Sequence, residues 1–171
     1  MRFEKKYTMT LGDYVSFNLF FHRKRLILTP IVFFVAMLVM AFVVFSDSGQ
    51  SPLLIPVFML IVAVLTGMMT AWSIFAIKKA SKKQYRSSQA MQSENEIIID
   101  EEGICEHGAY ANTIVPWKDV VLAAESKDAL YIHISWMQAF VIPKQLIGGE
   151  EDAVIRSLIK SKLEEKKCRI S

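Results

Sequence analysis

Three histidines, His22, His107 and His133, and two cysteines, Cys105 and Cys168, are the side chains best suited here to hold a metal ion or to act as nucleophile and base. Metal sites gather such ligands at short, fixed spacings, as in CxxC or HExxH. Here the histidines lie far apart, and neither cysteine has a partner at ligand spacing. The expectation is two reduced, structural thiols and no metal. The chain also contains no GxGxxG, no P-loop and no GxSxG. The acids of "IDEEGI" (residues 99–104) read as a turn, and those of "GGEED" (148–152) as a helix start. Acid–base work needs carboxylates that converge in a cleft, and neither run implies one. The chain is therefore expected to be non-catalytic, with no cofactor. His22 reads as a snorkelling residue beside charged neighbours. His133 falls opposite Leu130, Ile132 and Ile134 in an alternating strand, which predicts a solvated ring.

Two tryptophans are more informative. Trp117 follows Pro116 between strands and reads as a core plug or corner residue. Trp136 and Met137 stand in "SWMQ", between the alternating runs "LYIHIS" and "AFVIP", where a turn would normally use Gly, Asn, Asp or Pro. Three readings are ranked for this apolar pair. It folds back and is buried, it touches the bilayer interface, or it is a contact for a protein partner.

The elements that position these residues belong to two environments. Of 171 residues, 53% are hydrophobic, and the mean hydropathy is +0.31. The excess is gathered in residues 26–45 and 53–77, both without charge. A helix of about 20 residues crosses the roughly 30 Å hydrocarbon core of a bilayer, so both runs predict membrane spans. A cleaved signal peptide is set aside, because a long segment precedes the first run and a second run follows.

Arg23, Lys24 and Arg25 stand before the first run, and Lys78, Lys79, Lys82, Lys83 and Arg86 follow the second. The loop "SDSGQSP" (46–52) holds no cation. Cation-rich flanks stay inside, which predicts a bacterial inner-membrane protein with both termini in the cytoplasm. The net charge of +3 is unevenly spread: residues 94–171 carry nine cations against fourteen acids. The basic charge thus forms a collar at the membrane surface, able to attract anionic lipids. A nucleic-acid binder gathers its cations on its folded domain, so nucleic acid is not an expected partner. Neither run carries an ionisable residue, which argues against a transporter or a membrane-embedded enzyme. Ala63, Gly67 and Ala71 recur every fourth residue, a spacing that lets helices approach closely. The first helix is the nearer partner for that stripe, and a homo-oligomer through the second helix is the sharper alternative.

In "RFEKKYTM" (2–9), Phe3, Tyr7 and Met9 share one parity, as a half-buried strand requires. Thr10 and Asp13 then read as a helix cap. The aromatics Tyr14, Phe17, Phe20 and Phe21 suit either the membrane interface or a packed face on the C-terminal domain. From residue 94 the alternation and turns predict a meander of about six strands. A final helix carries a buried stripe of Ile155, Leu158, Ile159 and Leu163. Its Glu150, Glu151 and Asp152 at one end, with Lys166 and Lys167 at the other, complement the helix dipole. So small a sheet has little core of its own, and the N-terminal strand is expected to join it. The fold class is an α+β membrane protein, a two-helix transmembrane hairpin plus a small antiparallel β domain closed by a C-terminal helix. Residues 1–25 form the N-terminal strand and amphipathic helix, 26–77 the hairpin, 78–93 a basic juxtamembrane linker and 94–171 the β domain.

The segments "TLGDYVSFNLF", "IIIDEEGI", "IVPWKDVVLAAESKDALYIHI" and "AFVIPKQL", around the two membrane runs and before the closing helix, carry a resemblance. In this order the chain resembles the YcxB-like family of bacterial membrane proteins. Trp117–Asp119 and Ile142–Lys144 are its most specific parts. The resemblance implies a C-terminal domain similar to pleckstrin-like sheets, with a curved antiparallel sheet capped by a helix, and it brings no catalytic residues. The expected role is a cytoplasmic β module that binds an unknown protein partner or the membrane surface. The alternative is a membrane-located immunity protein that neutralises a toxin of the same producer.

Overall fold

A computed structural model describes residues 2–46, 54–110, 112–135 and 138–170. The chain forms two units, one of Met1–Phe17 with Lys82–Ser171 and the other of Asn18–Ser81.

The first unit holds the sheets. Strand β1 (Phe3–Thr8) pairs antiparallel with β2 (Glu94–Ile99), placing Phe3 opposite Ile99 and Tyr7 opposite Asn95. After β1 comes helix α1 (Leu11–Ser46), whose start is a reciprocal cap. Thr10 N–H donates to Asp13 Oδ2 at 3.0 Å, and Asp13 N–H donates to Thr10 Oγ1 at 3.1 Å. Helix α2 (Leu54–Ser87) and the short α3 (Gln89–Gln92) lead into β2. Strands β3 (Gly103–Gly108) and β4 (Asn112–Pro116) complete a four-stranded sheet in the order β1-β2-β3-β4. In the β2–β3 turn, Asp100 Oδ1 accepts the N–H groups of Glu102 and Gly103.

A 3-10 turn at Trp117–Asp119 then carries the chain to a second sheet. It is built from β5 (Leu122–Glu125), β6 (Ala129–His133), β7 (Ala139–Pro143) and β8 (Cys168–Arg169), in the order β7-β6-β5-β8. Helix α4 (Gly149–Lys162) precedes β8, which runs parallel to β5. One core joins the two sheets and the helix: Phe3, Ile99 and Ile104 from the first, Leu130, Ile132 and Phe140 from the second, and Ile155 and Ile159 from α4. Trp117 plugs this core, and its Nε1–H donates to the Asp100 carbonyl at 2.8 Å.

Three expectations need correction. The strands form two sheets, not one meander, and β8 extends the second through a parallel pairing that no local turn signals. The segment 78–93 is not a linker, because α2 runs on to Ser87 and α3 follows at once. His133 is not solvated but only 8% exposed. The outer face of β6 is covered by the first turns of α1, where the Phe17 ring lies 5.6 Å from Tyr131 and 6.4 Å from His133. Strict alternation assumes one wet face, and β6 has none.

The second unit is a pair of helical segments from α1 and α2. Both helices are long and apolar enough to cross a membrane. Phe42, Leu60, Met68 and Trp72 are exposed on their outer surfaces. An apolar outer surface of this kind suits lipid and not water. Ala41 and Val62 are buried in this unit, and the Phe45 and Phe58 rings of the two helices lie 5.9 Å apart. Thr66, Thr70 and Ser73 donate their hydroxyls to carbonyls one turn earlier, as polar side chains in lipid must.

Candidate functional site

The outer edge of the second sheet borders a groove. Lys144 N–H donates to Asp128 C=O at 2.9 Å, and Ile134 N–H donates to Gln138 C=O at 3.0 Å. These bonds fix the ladder, so the alternate residues Ala139 and Val141 turn their backbone N–H and C=O groups away from β6. Strand β7 is outermost in its sheet. Beside it lies an open groove of about 810 Å³, walled by Met9, Tyr14, Phe17 and Met91 and floored by Ala139 and Val141. Gln84, Ser135 and Gln138 supply its polar rim. Tyr85 steadies one wall, donating its hydroxyl to the Met9 carbonyl at 2.8 Å.

Trp136 and Met137, the apolar pair singled out above, lie outside the described residues. Their neighbours Ser135 and Gln138 are on the groove rim. Sequence reading missed the groove itself, because its lining comes from Met9 after β1, from α1, α2 and α3, and from β7, segments distant in the chain. The only available signal was the aromatic cluster in α1, of which Tyr14 and Phe17 line the groove.

An ionic cluster lies elsewhere in the same unit. Arg156 on α4 holds the Glu125 carboxylate in a fork, with Nη1 to Oε2 at 2.8 Å and Nη2 to Oε1 at 3.0 Å. Its Nε donates to Asp152 Oδ2 at 2.7 Å, and Lys144 Nζ also reaches Glu125. Hydrogen bonds from the guanidinium to Glu125 first, and to Asp152 second, raise the pKa of Arg156 above its ordinary value. The cluster fastens β5, the segment after β7 and α4 together. On the first sheet, Tyr7 donates its hydroxyl to Glu106 at 2.6 Å, and burial, aided by that carboxylate, pushes the phenol pKa up. Among the described residues, no group of three or more His, Cys, Asp or Glu side chains converges as metal ligands would. Cys105 and Cys168 are free thiols, both half-buried.

The eight collar cations are carried on helices, Arg23, Lys24 and Arg25 on α1 and the other five on α2, and all are exposed. Arg23 lies over the Phe20 ring, 3.7 Å from its centroid. The small-residue stripe does not face the first helix. Ala63, Gly67 and Ala71 are exposed, and a Cβ at Gly67 would meet nothing within 4 Å.

Two spans long and apolar enough for a bilayer, joined to a two-sheet β unit, define a membrane protein with a folded α+β module. Residues 99–159 match the model of the YcxB-like protein family, which bears out the resemblance read from the sequence. That stretch includes Trp117–Asp119, Ile142–Lys144 and all four members of the ionic cluster. Searches of curated proteins and of solved structures gave no match.

Proposed function

We propose that this chain is a non-catalytic integral membrane protein whose β unit binds a protein partner or the membrane surface, with the protein partner the better supported. The observation that carries this reading is the groove beside β7. A strand edge with outward backbone groups at the half-buried Ala139, next to an apolar wall, is the chemistry of strand addition. There an incoming extended segment gains main-chain hydrogen bonds from the edge and specificity from side chains placed alternately in the groove. The β unit is read as pleckstrin-like, since two four-stranded sheets surround one core closed by a helix. We place it in the cytoplasm of a bacterial inner-membrane protein, because the cations flank the spans on their β-unit side and the connecting loop holds none.

The test is site-specific photo-crosslinking from position 138 of the full chain in intact cells. A discrete protein adduct is expected, and it should vanish with Ala139→Pro. That change removes the outward N–H of a half-buried residue but leaves the β6 ladder intact, as proline on an edge strand does. An adduct unaffected by Ala139→Pro would remove the strand-addition reading, and crosslinks to lipid alone would favour the membrane surface.

A further inference from the structure

The helix pair contains a cleft that neither the spans nor the collar accounts for. It encloses about 310 Å³, within the range of small-molecule sites, between α1 and α2. On α1, His22, Arg25 and Thr29 fall at intervals of three and four residues and so share one face of the helix. Opposite them on α2 are Met69, Ser73 and Ile77. The cleft therefore has a cationic mouth where the charged segment ends, and it turns apolar where the uncharged run begins at Leu26.

Its polar groups divide into those already engaged and those still available. Thr70 and Ser73 spend their hydroxyl protons on their own helix, on Thr66 C=O and Met69 C=O. The Thr29 hydroxyl has no such bond among the described residues. Arg25 is exposed, and no acidic side chain stands among the described residues of this unit to match it. His22 offers a ring N–H whatever its protonation state, its ring held edge-on by Phe21 at 5.0 Å. A cation with no acid beside it among the described residues of this unit, a second N–H donor one turn before it and a hydroxyl one turn beyond it form a graded set. They suit a phosphate diester followed by an ester-linked glycerol and an acyl chain.

We propose that this cleft is a binding site for one anionic phospholipid, its phosphate held by Arg25 and His22, its glycerol ester region beside Thr29, and the start of an acyl chain along Pro30 and Met69. Basic clefts between membrane helices take lipid phosphates in this manner, and a guanidinium grips phosphate through paired, charge-assisted hydrogen bonds. A diffuse collar would attract many lipids equally from any of its cations. A cleft binds one lipid, and only its own residues matter.

The experiment uses the full chain in detergent micelles, titrated with short-chain phosphatidylglycerol and followed by native mass spectrometry. A single retained adduct is expected, about tenfold weaker in Arg25→Gln, the loss of one charge-assisted contact. Ser73→Leu, which fills the cleft without touching charge, should weaken it as strongly, while Lys79→Gln, in the collar and outside the cleft, should not. Inorganic phosphate at the same concentration should not displace the lipid. The proposal is overturned if Arg25→Gln and Ser73→Leu bind as well as the parent chain, or if Lys79→Gln loses as much as they do. Displacement by inorganic phosphate would also overturn it, since the cleft would then hold a free anion and not a lipid.

Discussion

Arg156 and Glu125 lie thirty-one residues apart in the chain and meet in a two-bond fork that ties helix α4 to the end of strand β5. Both side chains are mostly buried, with 17% and 15% exposure. Removing one partner leaves the other charge desolvated, so Arg156→Met is expected to destabilise the β unit by about 3 kcal/mol. Asp152 is 35% exposed and holds Arg156 by one oxygen only, so Asp152→Ala should cost no more than about 1 kcal/mol. The double change Glu125→Leu with Arg156→Met should recover most of the loss, because the charges it leaves unpaired, Lys144 and Asp152, are 30% and 35% exposed and keep contact with water. Thermal unfolding of the three variants in micelles checks the order. Equal losses in Arg156→Met and the double variant would show that packing, and not the stranded charge, is responsible.

Gly103 is required where β3 begins. A Cβ there would run into the Val115 carbonyl and the Pro116 Cα of the neighbouring strand. Gly103→Ala must therefore push β4 away, and a destabilisation of about 2 kcal/mol is expected. Hydrogen exchange locates the damage. Protection should fall first at Ile104 and Cys105, which face Val115 and Ile114, and little in the β5–β6 ladder.

Elements set by local chemistry were legible, and those set by remote partners were not. The two spans stand out because charge is absent over long runs, and the cap at Thr10 and Asp13 because the residue types allow little else. Trp117 was readable as a plug, and the α4 stripe emerged buried at Ile155, Leu158, Ile159 and Leu163. Alternation reveals a strand but not its neighbour, so nothing local in "CRI" announced that Cys168 and Arg169 would extend β5. His133 was misread for the same reason, since the ring that covers it, Phe17, is more than a hundred residues away. The stripe of Ala63, Gly67 and Ala71 gave a spacing but no direction, and it points away from α1. The groove beside β7 is assembled from such remote segments.

Glu151 links the two chain ends electrostatically. It accepts from Lys5 Nζ at 2.8 Å and from the Gly148 N–H at 3.1 Å. The hydrogen bond from Lys5, and then that from Gly148, hold its carboxyl below the ordinary glutamate range. A carboxylate with a lowered folded-state pKa adds stability that is whole above the unfolded value of about 4.3 and is lost as pH falls through the folded one. Glu151→Gln should therefore unfold slightly earlier than the parent near neutral pH and converge with it below about pH 4, where the parent carboxyl is protonated, so that its decline is flatter. Unfolding midpoints of both chains between pH 7 and pH 3 make the comparison, and parallel curves would show that Glu151 has no part in the acid response.

The inward orientation proposed for the β unit is best checked at a residue that can be reached. Cys168 sits near the chain end yet is half-buried in β8, and Cys105 is half-buried in β3, so neither native thiol is a fair probe. Lys127 lies in the turn between β5 and β6 and is exposed. In a Lys127→Cys chain, a membrane-impermeant thiol reagent is expected to label permeabilised cells and spare intact ones. The charge asymmetry along the chain predicts this, since Arg23, Lys24, Arg25, Lys78 and Lys79 flank the spans at the ends that lead into the β strands. Labelling of intact cells above the level of the parent chain would put the groove beside β7 outside the cell. Its occupant would then be sought among secreted proteins, with the immunity reading at the front.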